Sequence, residues 1–295
     1  MLTVSKFLCF KIMFMQSSKS RYFYNKLFFS RKFCIKHSQK QDILDTHSHS
    51  FGFQAVSPKE KREKVQNTFS SVAEKYDLMN DVMSVGIHRL WKDYFIRTLS
   101  PVEGTKLLDV AGGTGDIAFR CLKASSEGSD ATQSHVTVLD FNDKMLSICK
   151  KRAEESGLEN QLTCVQGNAE MLPFPDQSFD AYTIAFGIRN VVHIDKALSE
   201  AHRVLLPGGR FLCLEFSEVQ YPLNSVYKWY SDEIIPVLGQ VIAGEWKSYQ
   251  YLVESIQKFP KQEEFLSMIK EAGLSCATYE NLTGGIVAIH SAYKL

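Results

Sequence analysis

The chain has 295 residues, enough for one large domain or at most two, and its 44% apolar and 23% charged residues are those of an ordinary globular protein. The net charge of +1 is unevenly distributed: the first 41 residues hold nine Lys or Arg and no acid, which leaves 25 basic against 33 acidic residues, a net charge of −8, in the remainder. An acidic globular part argues against a protein that binds a phosphate backbone, so no nucleic-acid partner is expected.

Residues 1–40 are basic, free of acids and rich in Phe, Tyr and Ser, which is typical of a mitochondrial transit peptide. A secretory signal and a membrane anchor are the alternatives. The apolar run from Phe7 to Met15 is interrupted by Lys11 and is much shorter than the roughly 20 residues of a spanning helix. Import into mitochondria is therefore the favoured prediction.

Residues 41–60 are predicted to be a linker and residues 61–295 the folded domain. Apolar residues at three- or four-residue spacing predict a helix from Lys61, and a second helix is predicted over Arg89–Leu99. Strands and helices then alternate, which indicates a parallel sheet covered on both faces. The predicted strands are Lys106–Ala111, Val136–Asp140, Leu162–Gln166, Phe179–Phe186 and Arg210–Phe216, and the helices between them are Asp116–Ala124, Lys144–Ser156 and Ile194–Leu205.

After the fifth strand the pattern changes. An aromatic and aliphatic insertion at about 221–251 is predicted to be a helical lid, with ordinary core or a dimer face as alternatives. A helix over residues 262–272 and two strands joined through Thr283-Gly284-Gly285 complete the domain. The fold class is therefore α/β, a Rossmann-like sheet of seven mostly parallel strands with a C-terminal antiparallel hairpin.

A glycine-rich loop follows the first of these strands, and the next strand ends on Asp140, which together predict a βαβ unit that binds a nucleoside. The run from Gly113 to Ala118 fits the loose dinucleotide fingerprint. That fingerprint requires a diphosphate at the helix N-terminus, where the carboxylate of Asp116 would repel it. Asp109 adds a second carboxylate just before the turn. Two carboxylates favour a cationic ligand, S-adenosylmethionine. A tight turn with Asp116 as a helix cap is the alternative.

Three further blocks resemble a known family. They begin at Tyr76-Asp77-Leu78-Met79-Asn80, at Phe186-Gly187-Ile188-Arg189-Asn190-Val191 and at Tyr251-Leu252-Val253-Glu254-Ser255-Ile256. With the glycine loop they make residues 62–295 similar to the ubiquinone/menaquinone biosynthesis C-methyltransferase family. The basic leader favours its mitochondrial branch. The class I S-adenosylmethionine-dependent methyltransferase fold of that family agrees with the predicted sheet.

The resemblance implies C-methylation of the benzoquinol ring of a polyprenylated ubiquinone precursor, 2-methoxy-6-polyprenyl-1,4-benzoquinol, with S-adenosylmethionine as methyl donor and no metal. It also implies a peripheral protein on the matrix side of the mitochondrial inner membrane, in contact with the membrane surface and within a multi-subunit complex of coenzyme Q biosynthesis proteins. A homodimer is a further expectation. The alternatives left open are a catalytically silent assembly subunit that holds prenylated quinols, a methyltransferase acting on oxygen or nitrogen, and a nicotinamide-dependent oxidoreductase.

The predicted donor-binding residues lie around the glycine loop and the ends of the strands. Asp140 is expected to accept both ribose hydroxyls, and Asn168 with the Ala169 backbone to contact the adenine edge. Ala185 stands where relatives often have Ser, so only a backbone contact is expected there. The remaining candidates are the loop residues Asp109, Gly113, Thr114 and Gly115.

Methyl transfer to a ring carbon requires an aligned ring that has lost a phenolic proton. The catalytic candidates are Tyr76, Arg189 and Asn190. Since a guanidinium is a poor base, Arg189 is expected to stabilise the phenolate, and a salt bridge that fixes its loop is the alternative. The alternatives for Tyr76 and Asn190 are core packing and a helix cap, and His88 is expected to be a structural hydrogen-bonding residue.

Overall fold

The computed structural model describes residues 49–125, 133–220 and 246–295. The predicted transit peptide and residues 221–245 of the predicted lid lie outside the described residues. The first elements are a small antiparallel hairpin and the helix that follows it. They are β1 (His49–Phe51), β2 (Gln54–Val56) and α1 (Pro58–Val72). The linker prediction is therefore wrong from His49 onward, because Phe51 stacks on the distant Tyr251 ring at 4.0 Å, a contact that no local pattern indicates.

Helix α1 begins earlier than predicted because Ser57 caps it. The Ser57 hydroxyl accepts the Glu60 backbone N–H, and the Glu60 carboxylate accepts that of Ser57 at 2.8 Å, a capping box. The apolar pattern predicted one continuous helix here, but a 3₁₀ turn, Ala73–Lys75, separates α1 from the next helix. The other described helices are α2 (Tyr76–Ser84), α3 (Ile87–Leu99), α4 (Asp116–Ser125), α5 (Asp143–Glu155), α6 (Ile194–Val204), α7 (Trp246–Lys258) and α8 (Gln262–Glu271).

The main sheet has seven strands in the order β5–β4–β3–β6–β7–β9–β8. These strands are β3 (Lys106–Val110), β4 (His135–Asp140), β5 (Leu162–Gln166), β6 (Phe179–Ala185), β7 (Leu205–Phe216), β8 (Ser275–Leu282) and β9 (Val287–Tyr293). The first five strands of that order are parallel, and β9 pairs antiparallel with β7 and with β8. The predicted fold class is confirmed.

Most predicted strand boundaries agree with the structure within one residue, but two features of the sheet differ from the prediction. Strand β7 begins at Leu205 rather than Arg210, because Leu205 pairs with Phe179 before the register shifts around Pro207-Gly208-Gly209. The connection between β8 and β9 is a 3₁₀ turn over Thr283–Gly285 instead of a tight hairpin turn. Neither difference changes the topology.

Side chains alternate between the two faces of the sheet, as strand geometry requires. On β3, Leu107 packs with the cluster that includes Phe95 of α3 and Cys149 of α5, whereas Leu108 packs with the cluster of α6 and α8. Helices therefore cover both faces of the sheet. A separate small cluster, in which Val72 and Met79 pack with Tyr249 and Val253, joins the N-terminal helices to α7.

Candidate active site

Asp140, at the end of β4, ties the glycine loop to the start of α5. Its Oδ2 accepts the Gly113 N–H at 2.9 Å, and its Oδ1 accepts the Asn142 N–H at 2.8 Å. Burial raises the pKa of Asp140, and these backbone hydrogen bonds oppose that rise. A carboxylate has about four lone-pair positions, so Asp140 keeps acceptor capacity for the hydroxyls of a ligand.

A cavity of about 130 Å³, the loop cavity, opens beside Asp140 at the carboxyl ends of the parallel strands. Ligands of open α/β sheets bind at this edge, where the strand order reverses. Of the eight predicted donor-binding residues, the wall includes Gly113, Asp140, Asn168, Ala169 and Ala185. The structure thus brings five of them together around one space.

The other three, Asp109, Thr114 and Gly115, are not among the residues that line the loop cavity. The Thr114 side chain is buried, with its Oγ1 3.2 Å from Arg152 Nη1. Gly115 has φ +85°, and a Cβ there would lie 2.5 Å from the Cys149 sulfur. A larger residue would collide with α5, so this glycine permits a close approach between loop and helix. Contact of these residues with a ligand remains a prediction.

Asp109 is fully buried and holds one unpartnered oxygen. Its Oδ1 accepts the Thr183 hydroxyl at 2.8 Å, whereas Oδ2 has no hydrogen-bond partner among the described residues. Burial raises the pKa of Asp109 to about 7, and the nearby acids Asp140 and Asp116 add to the rise. A Cβ on Gly112 would lie 2.6 Å from Oδ2, so the carboxyl group stands directly against the loop. In its ionised form this carboxyl group would favour a cationic ligand through its electric field across the loop.

The structure corrects the argument drawn from Asp116. Its Oδ2 is 2.7 Å from Lys92 Nζ, and its Oδ1 is 3.1 Å from Arg120 Nε. Although burial disfavours the ionised carboxyl, these two cations lower the pKa of Asp116. Because its charge is compensated, Asp116 does not select a cationic over an anionic ligand. The sequence could not show this, since Lys92 is on another helix.

Helix α1 covers the loop cavity, which the sequence did not predict. Lys61 Nζ donates to the Val191 carbonyl at 2.8 Å, and Arg62 Nη2 lies 3.7 Å from Glu170 Oε2. Asn142 also donates its side-chain amide to the Gln66 carbonyl at 3.1 Å. Arg62, Gln66 and Glu170 line the cavity. Each of these contacts joins residues far apart in the chain, so no local motif signals them.

A second and larger cavity, the apolar cavity, adjoins the first. Its volume is about 360 Å³, and its walls come from the N-terminal helices, α7 and the turn at Thr283. Phe69, Tyr76 and Phe186 line both cavities. The two spaces therefore meet at three aromatic side chains, one of which was predicted to be catalytic.

Arg189 lines the apolar cavity but is held in a buried ion pair. Its Nη1 lies 2.7 Å from Glu215 Oε1 and donates to the Phe186 carbonyl at 2.6 Å, and its Nε donates to the Ser255 hydroxyl at 3.3 Å. Among the described residues Nη2 has no hydrogen-bond partner in the structure. Burial raises the pKa of Glu215, and Arg189 opposes that rise. The salt bridge with Glu215 is present, and Arg189 is at the same time part of the wall of the apolar cavity.

Tyr76 lies at the junction of the cavities, and Asn190 lies in the wall of the loop cavity. Asn190 lines the loop cavity, and its Oδ1 accepts the Tyr251 hydroxyl at 2.9 Å. Burial raises the pKa of Tyr251 to about 12, so this hydroxyl is a donor at neutral pH. The helix-cap alternative for Asn190 is wrong, because His193 occupies the N-cap position of α6. Tyr251 begins one of the three sequence blocks that resemble the family, but the sequence does not identify it as a site residue.

His88 makes the structural hydrogen bond that was expected. Its Nε2 lies 2.8 Å from Asp81 Oδ1, and burial lowers the pKa of the ring. Arg89 pairs with the same carboxylate through two contacts of 2.6 Å. These contacts fix the corner between α2 and α3 beside the apolar cavity.

Residues 49–125, 133–220 and 246–295 contain no group of three or more His, Cys, Asp or Glu arranged to hold a metal ion. Within the same ranges no helix has the length and apolarity needed to cross a membrane.

Residues 57–294 match the model of the ubiE/COQ5 methyltransferase family. This chain belongs to that family. The resemblance read from the sequence is thereby confirmed, and the nicotinamide-dependent oxidoreductase is set aside.

Relatives of high identity extend the match. The chain is 55% identical over 287 residues to a protein of Bos taurus named 2-methoxy-6-polyprenyl-1,4-benzoquinol methylase, mitochondrial, which covers 88% of this chain and 86% of the relative. It is 58% identical over 250 residues to the ubiquinone/menaquinone biosynthesis C-methyltransferase UbiE of Brucella abortus. That match covers 84% of this chain and 91% of the relative. The solved structure of a SAM-dependent methyltransferase of Thermotoga maritima has the same fold, with a TM-score of 0.55 and 18% sequence identity. The match covers 78% of this chain and 99% of the other.

Proposed function

We propose that this protein transfers a methyl group from S-adenosylmethionine to a ring carbon of a polyprenylated benzoquinol, 2-methoxy-6-polyprenyl-1,4-benzoquinol. The observation that carries the proposal is the junction of a polar loop cavity and a larger apolar cavity at Tyr76, Phe69 and Phe186. A methyl donor and an apolar ring need such adjoining spaces, because the reaction is an in-line displacement between two bound molecules. The names of the relatives agree with this substrate.

The loop cavity would take the donor. Asp140 would accept the ribose hydroxyls with the lone pairs that the backbone leaves free, and Asn168 and the Ala169 backbone would meet the adenine edge. The unpartnered oxygen of Asp109 would stabilise the positive charge of the bound donor. The donor supplies an electrophilic methyl group on a sulfonium, and no metal is required for this reaction.

The apolar cavity would take the ring and the first isoprene units. Burial of each methylene contributes about 0.8 kcal/mol, so an apolar space of this kind favours a prenylated over a plain quinol. The free edge of Arg189 would stabilise the phenolate, and Tyr76 and Asn190 would orient the ring at the junction. Because Arg189 is already paired with Glu215, it would act as a hydrogen-bond donor rather than as an unpaired charge.

We further propose that residues 1–40 are a transit peptide and that the protein works peripherally on the matrix side of the mitochondrial inner membrane. The basic, acid-free leader and the mitochondrial names of the relatives support this location. A substrate that resides in the bilayer requires contact with the membrane surface. Assembly with other coenzyme Q biosynthesis proteins and homodimer formation remain part of the same proposal.

Lipid mass spectrometry of cells that lack the protein tests the function. We expect the demethylated quinol precursor to accumulate and the wild-type chain to restore its methylated product. A chain carrying Asp140→Ala should not restore the product, whereas the matched Asp143→Asn change, at an exposed residue of the first turn of α5, should. Full restoration by Asp140→Ala would instead indicate the silent assembly subunit.

A further inference from the structure

The corner between α2 and α3 exposes three large apolar side chains. Leu78 is 54% exposed, Val85 is 88% exposed and Leu90 is 65% exposed. Single exposed apolar residues are common on protein surfaces. Val85 differs from these because its φ of +52° is the left-handed conformation, which a β-branched residue rarely adopts. Val85 is the C-cap residue of α2, a position at which glycine is the usual left-handed residue, and backbone strain of this kind is concentrated at functional sites.

The same corner carries no uncompensated charge. Residues 82–88, Val-Met-Ser-Val-Gly-Ile-His, contain no acidic or strongly basic side chain. The flanking Asp81 is paired with Arg89 through two contacts of 2.6 Å and with His88 at 2.8 Å. A segment of this composition can approach an apolar medium without desolvating an unpaired ion.

The corner is also continuous with the apolar cavity. Ser84, Val85 and Ile87 line that cavity, and the exposure of Val85 shows that its wall reaches the surface there. A cavity whose wall ends in exposed apolar side chains gives an apolar molecule a path that avoids water.

We propose that the α2–α3 corner, residues 78–90, inserts into the headgroup–acyl boundary of a lipid bilayer and opens the apolar cavity toward the membrane. The prenylated substrate then enters from the bilayer directly. The entry route rests on the proposed function, whereas insertion of the corner can be tested without any quinol. A lipid surface is favoured over a second copy of this chain because the exposed Val85 of the corner also lines the apolar cavity, which a bilayer-resident substrate must reach.

Vesicle flotation with the full chain tests the insertion. Neutral phosphatidylcholine vesicles are used, because the basic leader would bind anionic lipids by itself. The variant is Leu90→Asp, since Leu90 does not line the cavity, and the matched control is Val102→Asp. Val102 is 70% exposed and precedes β3, at the opposite edge of the sheet from the cavities. Circular dichroism melting shows that each variant is folded.

We expect the wild-type chain and Val102→Asp to float with the vesicles and the vesicle-bound fraction of Leu90→Asp to fall at least about tenfold. Leu90→Asp should also methylate a long-tailed quinol in vesicles at least about tenfold more slowly, and a water-soluble, short-tailed quinol at the wild-type rate. The insertion would be overturned if the two variants floated equally or if the wild type did not float. It would also be overturned if the chain bound no vesicles but formed a dimer that Leu90→Asp, and not Val102→Asp, dissociates. Flotation without methylation of either quinol by the wild type would refute the proposed function alone.

Discussion

Arg189 and Glu215 form an ion pair of 2.7 Å in which the side chains are 5% and 2% exposed. The pair joins the turn after β6 to the end of β7, and the Phe186 carbonyl holds the same guanidinium nitrogen. The two expectations for Arg189 are therefore compatible. The ion pair fixes the turn and the orientation of the guanidinium, and Arg189 also lies in the wall of the apolar cavity, where stabilisation of a phenolate is proposed.

Removal of Glu215 should leave a buried cation unpaired. Glu215→Ala is expected to lower the free energy of unfolding by about 3–5 kcal/mol, and the double change Arg189→Met with Glu215→Leu by less. The Arg203–Asp176 pair has the same length, 2.7 Å, but Asp176 is 72% exposed. Asp176→Ala should therefore lower the free energy of unfolding by less than about 1 kcal/mol. Urea unfolding measures all three, and equal losses from Glu215→Ala and Asp176→Ala would disprove the buried charge pair.

Asp140 should govern the affinity for the methyl donor. Hydrogen bonds to a charged acceptor are worth about 1.5–3 kcal/mol, so Asp140→Asn is expected to weaken binding of S-adenosylmethionine roughly 10- to 100-fold. Part of the loss would come from the glycine loop, since Gly113 donates to the same carboxylate. Isothermal titration calorimetry provides the measurement, with Asp143→Asn as the control. An unchanged affinity would remove Asp140 from the donor site.

Asp109 should make the stability of the free protein depend on pH. Its pKa is raised from 3.8 to about 7, so the folded state keeps the proton at pH values where the unfolded chain has lost it. The free energy of unfolding therefore falls as the pH rises from about 4 to about 7, by at most about 4 kcal/mol from this group. Asp109→Asn removes this contribution, so the variant should gain stability relative to the wild type across that interval. Denaturation at a series of pH values measures the difference, and parallel curves for the two proteins would contradict the raised pKa.

Tyr251 is expected to act by orienting Asn190. Tyr251→Phe and Asn190→Ala should each reduce kcat. The double variant should lose little more than Asn190→Ala alone, because among the described residues the Tyr251 hydroxyl donates to the Asn190 side chain alone. The control is Tyr94→Phe, which removes an exposed hydroxyl hydrogen bond to Glu280 of 2.9 Å. Steady-state kinetics of the four variants form the test. Additive losses would show that the two residues act independently.

The sequence predicted what local patterns encode. The alternation of strands and helices predicted the sheet, and the glycine loop with Asp140 predicted where a ligand would bind. The partners of the charged residues could not be predicted in the same way, because Lys92 reaches Asp116 from another helix and Glu215 reaches Arg189 from strand β7. The cover that α1 forms over the loop cavity depends on the contact between Arg62 and Glu170, which lie more than a hundred residues apart.

Direct methyl transfer tests the central claim. The purified chain is incubated with S-adenosylmethionine labelled in its methyl group and with 2-methoxy-6-polyprenyl-1,4-benzoquinol, and the product is examined by mass spectrometry and NMR. We predict that the label appears on a ring carbon and that Asp140→Ala abolishes its transfer. Label on an oxygen, or no transfer although the donor binds, would contradict a ring C-methyltransferase built on two adjoining cavities.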